Sequence, residues 1–188
     1  MKYAFAILTG SLFLQPFPSS PQSSSMSLLR TSLMYYAGQS NTISEKELQS
    51  YCSKLEKDHR RIYYLVSRGF RMSLQVKGIY SREKFLFFRL SLSNHSHLDY
   101  DVDSIRFFMR DSRIMKRTSM IIRSLTPVYS YGNTRSIRGK SREESVIVLP
   151  QFTLPADKRL VIEVTEKNGG RKLQLFVDNF TLLRSRLI

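Results

Sequence analysis

The chain has 188 residues and a mass of 22.0 kDa, with 30 Lys and Arg against 15 Asp and Glu, a formal net charge of +15 and a pI near 10.2. Hydrophobic residues make up 41%, too many for a disordered tail, and a chain of this size buries roughly 70% of its unfolded surface without a staple. One Cys and three His exclude an intramolecular disulfide framework and argue against a Cys- or His-rich metal centre. The charge asks for an anionic partner: nucleic acid, a membrane surface or an acidic protein face.

Residues 1–43 hold no acid and only two basic residues, Lys2 and Arg30. Lys2 followed by the apolar run Ala4 to Leu14 resembles the n- and h-regions of a secretory signal, and the run is too short to span a bilayer. Two readings stand for this leader: a signal segment, or a poorly ordered stretch with Met26 as the true start. Ser44-Glu45-Lys46-Glu47 then fits a capping box. Apolar positions at Leu48, Tyr51, Cys52, Leu55, Ile62 and Val66 predict an amphipathic helix from 45 to about 67, within a helical region 44–69. Cys52 falls on its apolar face as a packed thiol, and His59 as a packing residue.

After Gly69 the period becomes two. Phe70, Met72, Leu74 and Val76 predict one half-buried strand, and Leu86, Phe88, Leu90 and Leu92 the next, with a turn at Ser81-Arg82-Glu83. Tyr100 and Val102 are even, whereas Ile105, Phe107 and Met109 are odd, so a bulge or bend is predicted near Asp103-Ser104. Val146 to Leu149 is a short strand closed by Pro150. Leu160, Ile162 and Val164 face Leu173, Leu175 and Val177 across Asn168-Gly169-Gly170, a hairpin. Phe180 to Ile188 is a further candidate strand. One helix and seven or eight strands over 70–188 predict a mainly β fold, a β-sandwich or open barrel, with the sandwich preferred.

Catalytic patterns fail one by one. Gly139-Lys140-Ser141 lacks the earlier Gly of a phosphate-binding loop, since Thr134 stands there. Asp99, Asp101 and Asp103 lack the Gly and Glu of a calcium loop, with Ser104 and Arg110 in those places. A metal site with His95 and His97 is the minor reading, and a strand edge offering its acids to nearby Arg the major one. No Ser or Cys nucleophile has a base beside it in any known pattern, so neither enzyme nor cofactor is expected.

The segment Arg106 to Arg142 concentrates ten basic residues against one acid, Asp111. Arg106, Arg110, Arg113, Lys116, Arg117, Arg135, Arg138 and Lys140, interleaved with Phe108, Tyr129 and Tyr131, predict a basic and aromatic face. Such a face suits protein docking, a single-stranded nucleic acid, or plain solvation.

Several motifs occur in order: Tyr100-Asp101-Val102-Asp103-Ser104-Ile105-Arg106-Phe107-Phe108-Met109-Arg110-Asp111, Lys116-Arg117-Thr118, Pro127-Val128-Tyr129, Tyr131-Gly132-Asn133-Thr134, Leu149-Pro150-Gln151-Phe152-Thr153-Leu154-Pro155 and Glu166-Lys167-Asn168-Gly169-Gly170-Arg171-Lys172-Leu173. Over residues 43–188 the chain resembles the C-terminal domain of the TraN family of Bacteroidetes conjugative transposons. The resemblance implies a β-sandwich in a non-enzymatic subunit of a type IV secretion, or mating-pair, apparatus. It implies a place in the periplasm or at the outer membrane, or in the cytoplasm should the leader be no signal. The implied partners are other conjugative transfer proteins, with self-association open and nucleic acid the alternative. Family members carry another β-domain before the helix, which suggests a shortened copy, a mis-called start or a short variant.

Overall fold

The structure, a computed structural model, describes residues 43–112 and 123–188. Helix α1 spans Glu45–Glu56. Its start is the expected capping box: Ser44 Oγ accepts the Glu47 amide at 3.3 Å, and the Glu47 carboxylate accepts the Ser44 amide at 2.8 Å. Leu48, Cys52 and Leu55 form its buried face.

The helix does not reach residue 67. The Asp58 carboxylate accepts the Arg60 amide at 3.0 Å and the Tyr80 hydroxyl at 2.7 Å, so it ties the chain to local and sheet donors instead of letting the turn repeat. By Ile62 the chain runs along a strand, donating its amide to the Lys77 carbonyl at 2.8 Å. Ile62 and Val66 continue the helical spacing of apolar residues, but they do so by coincidence: Ile62 packs on the inter-sheet core and Val66 opens the first strand. His59 is exposed rather than packed.

The strands are β1 (Val66–Gly69), β2 (Met72–Arg82), β3 (Phe85–Asn94), β4 (Tyr100–Asp111), β5 (Arg123–Leu125), β6 (Tyr129–Gly132), β7 (Ser136–Ile137), β8 (Arg142–Pro150), β9 (Lys158–Glu166), β10 (Lys172–Val177) and β11 (Arg186–Leu187). A second, short helix, α2, spans Asn179–Leu183 between the last two. The first sheet has the order β1-β2-β3-β8-β6, with β11 beside β2. The second has the order β10-β9-β4-β5, with β7 beside β4. Pairing is antiparallel except for β11 on β2. The result is a β-sandwich, as the alternation predicts.

Two apolar layers result. Met72, Leu74, Val76, Phe88 and Leu90 of the first sheet meet Phe107, Met109, Ile162, Val164 and Leu175 of the second between the sheets. Leu48, Cys52 and Leu55 of α1 meet Tyr80, Phe87, Val146 and Val148 on the outside of the first sheet. Strand β3 is therefore buried on both faces, which explains its apolar run from Phe85 to Phe88.

Asp103 is the extra residue of a bulge in β4, which is one strand rather than two. A second bulge, which the alternation reading missed, places Lys77 between Val76 and Gly78 in β2. It moves the inward set from Val76 to Ile79 and turns Tyr80 toward α1. Gly78 is needed there, because the Tyr80 ring lies where a Cβ would sit.

Three turns differ from expectation. Phe70 is exposed in a two-residue turn with Arg71, both at positive φ, between Gly69 and Met72. The β2–β3 turn is Glu83-Lys84. The β9–β10 loop has five residues, 167–171, with Asn168 alone at positive φ, while Val164↔Leu173, Ile162↔Leu175 and Leu160↔Val177 pair as expected. Residues 180–188 form most of α2 and β11 instead of a single strand.

Candidate functional site

The pleat sends alternate residues of the second sheet outward, away from the sandwich core. On β4 these are Arg106, Phe108 and Arg110, which pair across to Glu163, Val161 and Arg159 of β9. Glu163 and Val161 pair in turn with Gln174 and Phe176 of β10, and Thr165 with Lys172. Four cations, Arg106, Arg110, Arg159 and Lys172, thus share one sheet face with Phe108, Phe176 and a single acid, Glu163. A groove of about 410 Å³ runs between them, lined by Arg106, Phe108, Arg110, Ser124, Glu163, Lys172 and Gln174.

Glu163 organises the face. Its side chain is only 4% exposed and forms ion pairs with Arg106 and, at 3.4 Å, with Lys172. Burial alone would raise its pKa. Hydrogen bonds from Gln174 and Arg106, with the charges of Lys172 and Arg106, outweigh burial and hold it below the usual value. The Arg110 guanidinium lies 4.9 Å from the centre of the Phe176 ring, and its Nε is buried without a hydrogen-bond partner among the described residues.

The basic segment of the sequence is not one surface. Arg106 and Arg110 belong to this face. Tyr129 and Tyr131 sit on β6 in the other sheet, half-buried against the α1 layer. They are separated from Arg106 by the whole thickness of the sandwich, because the chain crosses between sheets at Pro127. Arg135, Arg138 and Lys140 are exposed in the β6–β8 connection at one end. There the Arg135 carbonyl accepts the Val102 amide at 2.8 Å, and the Lys140 amide donates to the Ser96 carbonyl at 2.9 Å. Arg113, Lys116 and Arg117 lie outside the described residues, as does the leader.

Arg159, Lys172, Gln174 and Phe176 escaped the sequence reading. Their signal was the other half of the alternation: the residues between Leu160, Ile162 and Val164, and around Leu173 and Leu175, are the outward ones.

The Asp99–Asp103 run meets an arginine only through its backbone, where the Arg171 guanidinium donates to the Asp99 carbonyl at 2.6 Å. Asp99 accepts the Gly139 amide at 2.7 Å, Asp103 accepts the Thr165 hydroxyl at 3.3 Å, and none of the three acids forms an ion pair among the described residues. Among the described residues no group of three His, Cys, Asp or Glu is placed to hold a metal ion. Cys52 is wholly buried, and burial pushes its thiol up to about 12, far from a nucleophile's range. No helix among the described residues is long and apolar enough to cross a membrane.

Residues 45–187 match the family described as a domain of unknown function, DUF4138. The chain belongs to that family. No curated protein and no solved structure matches it. The DUF4138 span takes in α1, both sheets and α2, so the charged face of β4, β9 and β10 is part of the family's own domain.

Proposed function

We propose that this DUF4138 domain is a structural, non-enzymatic component of a conjugative transfer apparatus of the type IV secretion kind, acting by protein–protein contact in the cell envelope. The TraN-like motifs support this reading, since they fall within the DUF4138 span. Tyr100 to Asp111 is β4, and Glu166 to Leu173 closes the β9–β10 hairpin. The observation that carries docking is the outer face of the second sheet: four cations, two aromatic rings and a groove on a rigid sheet, with Arg110 Nε unsatisfied. Arg and aromatic residues on a fixed scaffold are the residue types that dominate binding energy at protein interfaces.

Nucleic acid fits the same face less well. The Glu163 carboxylate stands in its middle, where it would repel a phosphate backbone. The Arg110 guanidinium already lies over the Phe176 ring and competes with a base for it. A protein surface with carboxylates around a polar centre suits Arg106, Arg159 and Lys172 better.

The test is a triple reversal, Arg106→Glu, Arg159→Glu and Lys172→Glu, at three exposed positions, made together with Glu163→Gln so that no buried carboxylate is left without its cations. Co-purification with the other transfer proteins should be lost while the denaturation midpoint and far-UV circular dichroism hold. Unchanged co-purification would remove the face from this role. A companion variant reversing Arg113, Lys116 and Arg117, which follow β4 in sequence, asks whether the docking surface extends beyond the sheet. Binding to DNA that is tight at low salt and collapses steeply with added salt would favour the nucleic-acid alternative.

A further inference from the structure

A second groove lies at the edge of the first sheet. It has a volume of about 380 Å³ and is lined by Arg61 to Tyr64, Gly78, Ile79, Thr181, Arg184 and Arg186. Strand β2 explains why it exists. Upstream, the Ile62–Leu65 segment covers the β2 edge through the bonds of Ile62 to Lys77 and of Val76 to Leu65. Downstream, β11 covers it, with Arg186 opposite Tyr80. Among the described residues no strand pairs with Gly78 and Ile79 on that side; both are buried and form the closed floor of the groove.

The walls point to one kind of occupant. All three charged residues lining the groove are arginines, and none of them forms an ion pair among the described residues. One terminal nitrogen of Arg186 is buried and has no hydrogen-bond partner among the described residues. The side chains of Arg61 and Arg184 stand exposed beside it, and a carboxylate is the partner that best matches a guanidinium fork. The rim is aromatic and apolar. Tyr63 is 76% exposed and Tyr64 66%, and the α2–β11 segment exposes Phe180, Leu183 and Leu187. Apolar surface of this kind, rimmed by charge, marks an interaction site.

We propose that this groove binds an extended, acidic segment of a partner protein, whose carboxylates meet Arg61, Arg184 and Arg186 and whose apolar side chains lie on Tyr63 and Tyr64. The inference rests on the protein-docking reading above and gives it a second contact, of a different chemistry from the sheet face.

The experiment uses the full chain and a fluorescent eight-residue peptide alternating Glu with Phe and Leu, beside a control with every Glu replaced by Lys. Fluorescence anisotropy should show binding of the acidic peptide only. Arg61→Glu with Arg184→Glu, both at exposed positions, should weaken it at least tenfold. Lys46→Glu with Lys167→Glu, the same charge change away from the groove, should leave the affinity within twofold. Equal weakening by both pairs would reduce the binding to net charge and overturn the proposal. So would a concentration-dependent dimer, seen by sedimentation velocity, that the Arg61/Arg184 variant abolishes without any peptide binding. Either result leaves the co-purification test of the sheet face standing, so the two readings fail separately.

Discussion

On the outer face of the first sheet, Glu144 stands between Lys77 and Arg89; on that of the second, Glu163 stands between Arg106 and Lys172. The burial is reversed. Lys77 and Arg89 have side chains only 2% and 6% exposed while Glu144 is 25% exposed; Glu163 is 4% exposed while Arg106 and Lys172 are 60% and 54%. The first arrangement ties the chain to itself. Arg89 also bonds the Asp58 carbonyl, where α1 ends, so the buried cations anchor the connection that leads back to β1. The second leaves its positive charge in water and available to another molecule. One charge pattern thus does two jobs, and the cover supplied by α1 and the segment after it decides which.

This contrast can be broken at its buried end first. Glu144→Ala strands two cations under the helix, and removing one partner of a buried pair should cost about 4 kcal/mol, read as a drop in the urea midpoint. Leu48→Ala thins the cover itself, and a buried Leu-to-Ala change should cost about 3 kcal/mol in the same assay, with α1 losing hydrogen-exchange protection before the sheets do. Glu163→Gln keeps the bond to Arg106 in part and leaves two exposed cations free to hydrate, so its stability cost should be about 1 kcal/mol or less. A cost for Glu163→Gln equal to that of Glu144→Ala would erase the distinction drawn between the faces.

Acid titration sharpens the comparison with the smallest perturbation. Burial raises the pKa of both glutamates, but their cationic partners outweigh it, so each lies below the ordinary 4.5 in the folded state. Asp58 is held lower still, at about 2: burial opposes this, and the Arg60 amide, the Tyr80 hydroxyl and the Arg60 guanidinium prevail. Groups with lowered folded pKa stabilise the fold above their unfolded values and lose that contribution as pH falls through the folded ones. The urea midpoint should therefore be flat from pH 7 to about 5 and decline from about 4.5 toward 2. Glu144→Gln should flatten that decline more than Glu163→Gln does.

Much of the fold was legible because a half-buried strand writes its inside and outside in alternate residues. The bulge at Asp103 showed itself as a change from even to odd. The bulge at Lys77 carried the same mark, from Val76 to Ile79, but Gly78 has no side chain to register a face and Lys77 looked like an outward polar residue. The end of α1 was hidden for another reason. Ile62 and Val66 satisfy a helical period, and only the tertiary bonds of Asp58 to Tyr80 and Arg89 stop the helix. The site was half legible. Arg106 and Arg110 are placed correctly by β4 alone, but Tyr129 and Tyr131 are close to them in sequence and on the other sheet in space. Nothing in the order of residues says that Pro127 separates two layers.

The β4 bulge bears on how this domain can change length in evolution. Asp103 is the residue that the pairing between β4 and β9 does not need. A deletion at that position keeps Tyr100 and Val102 on the same side as Ile105 and Phe107. A deletion anywhere else between Ser104 and Arg110 would turn one part of the strand inside out, sending core residues into water and arginines into the core. The pairing of β4 with β9 thus leaves one point in that strand where a single residue can be lost without reversing its faces.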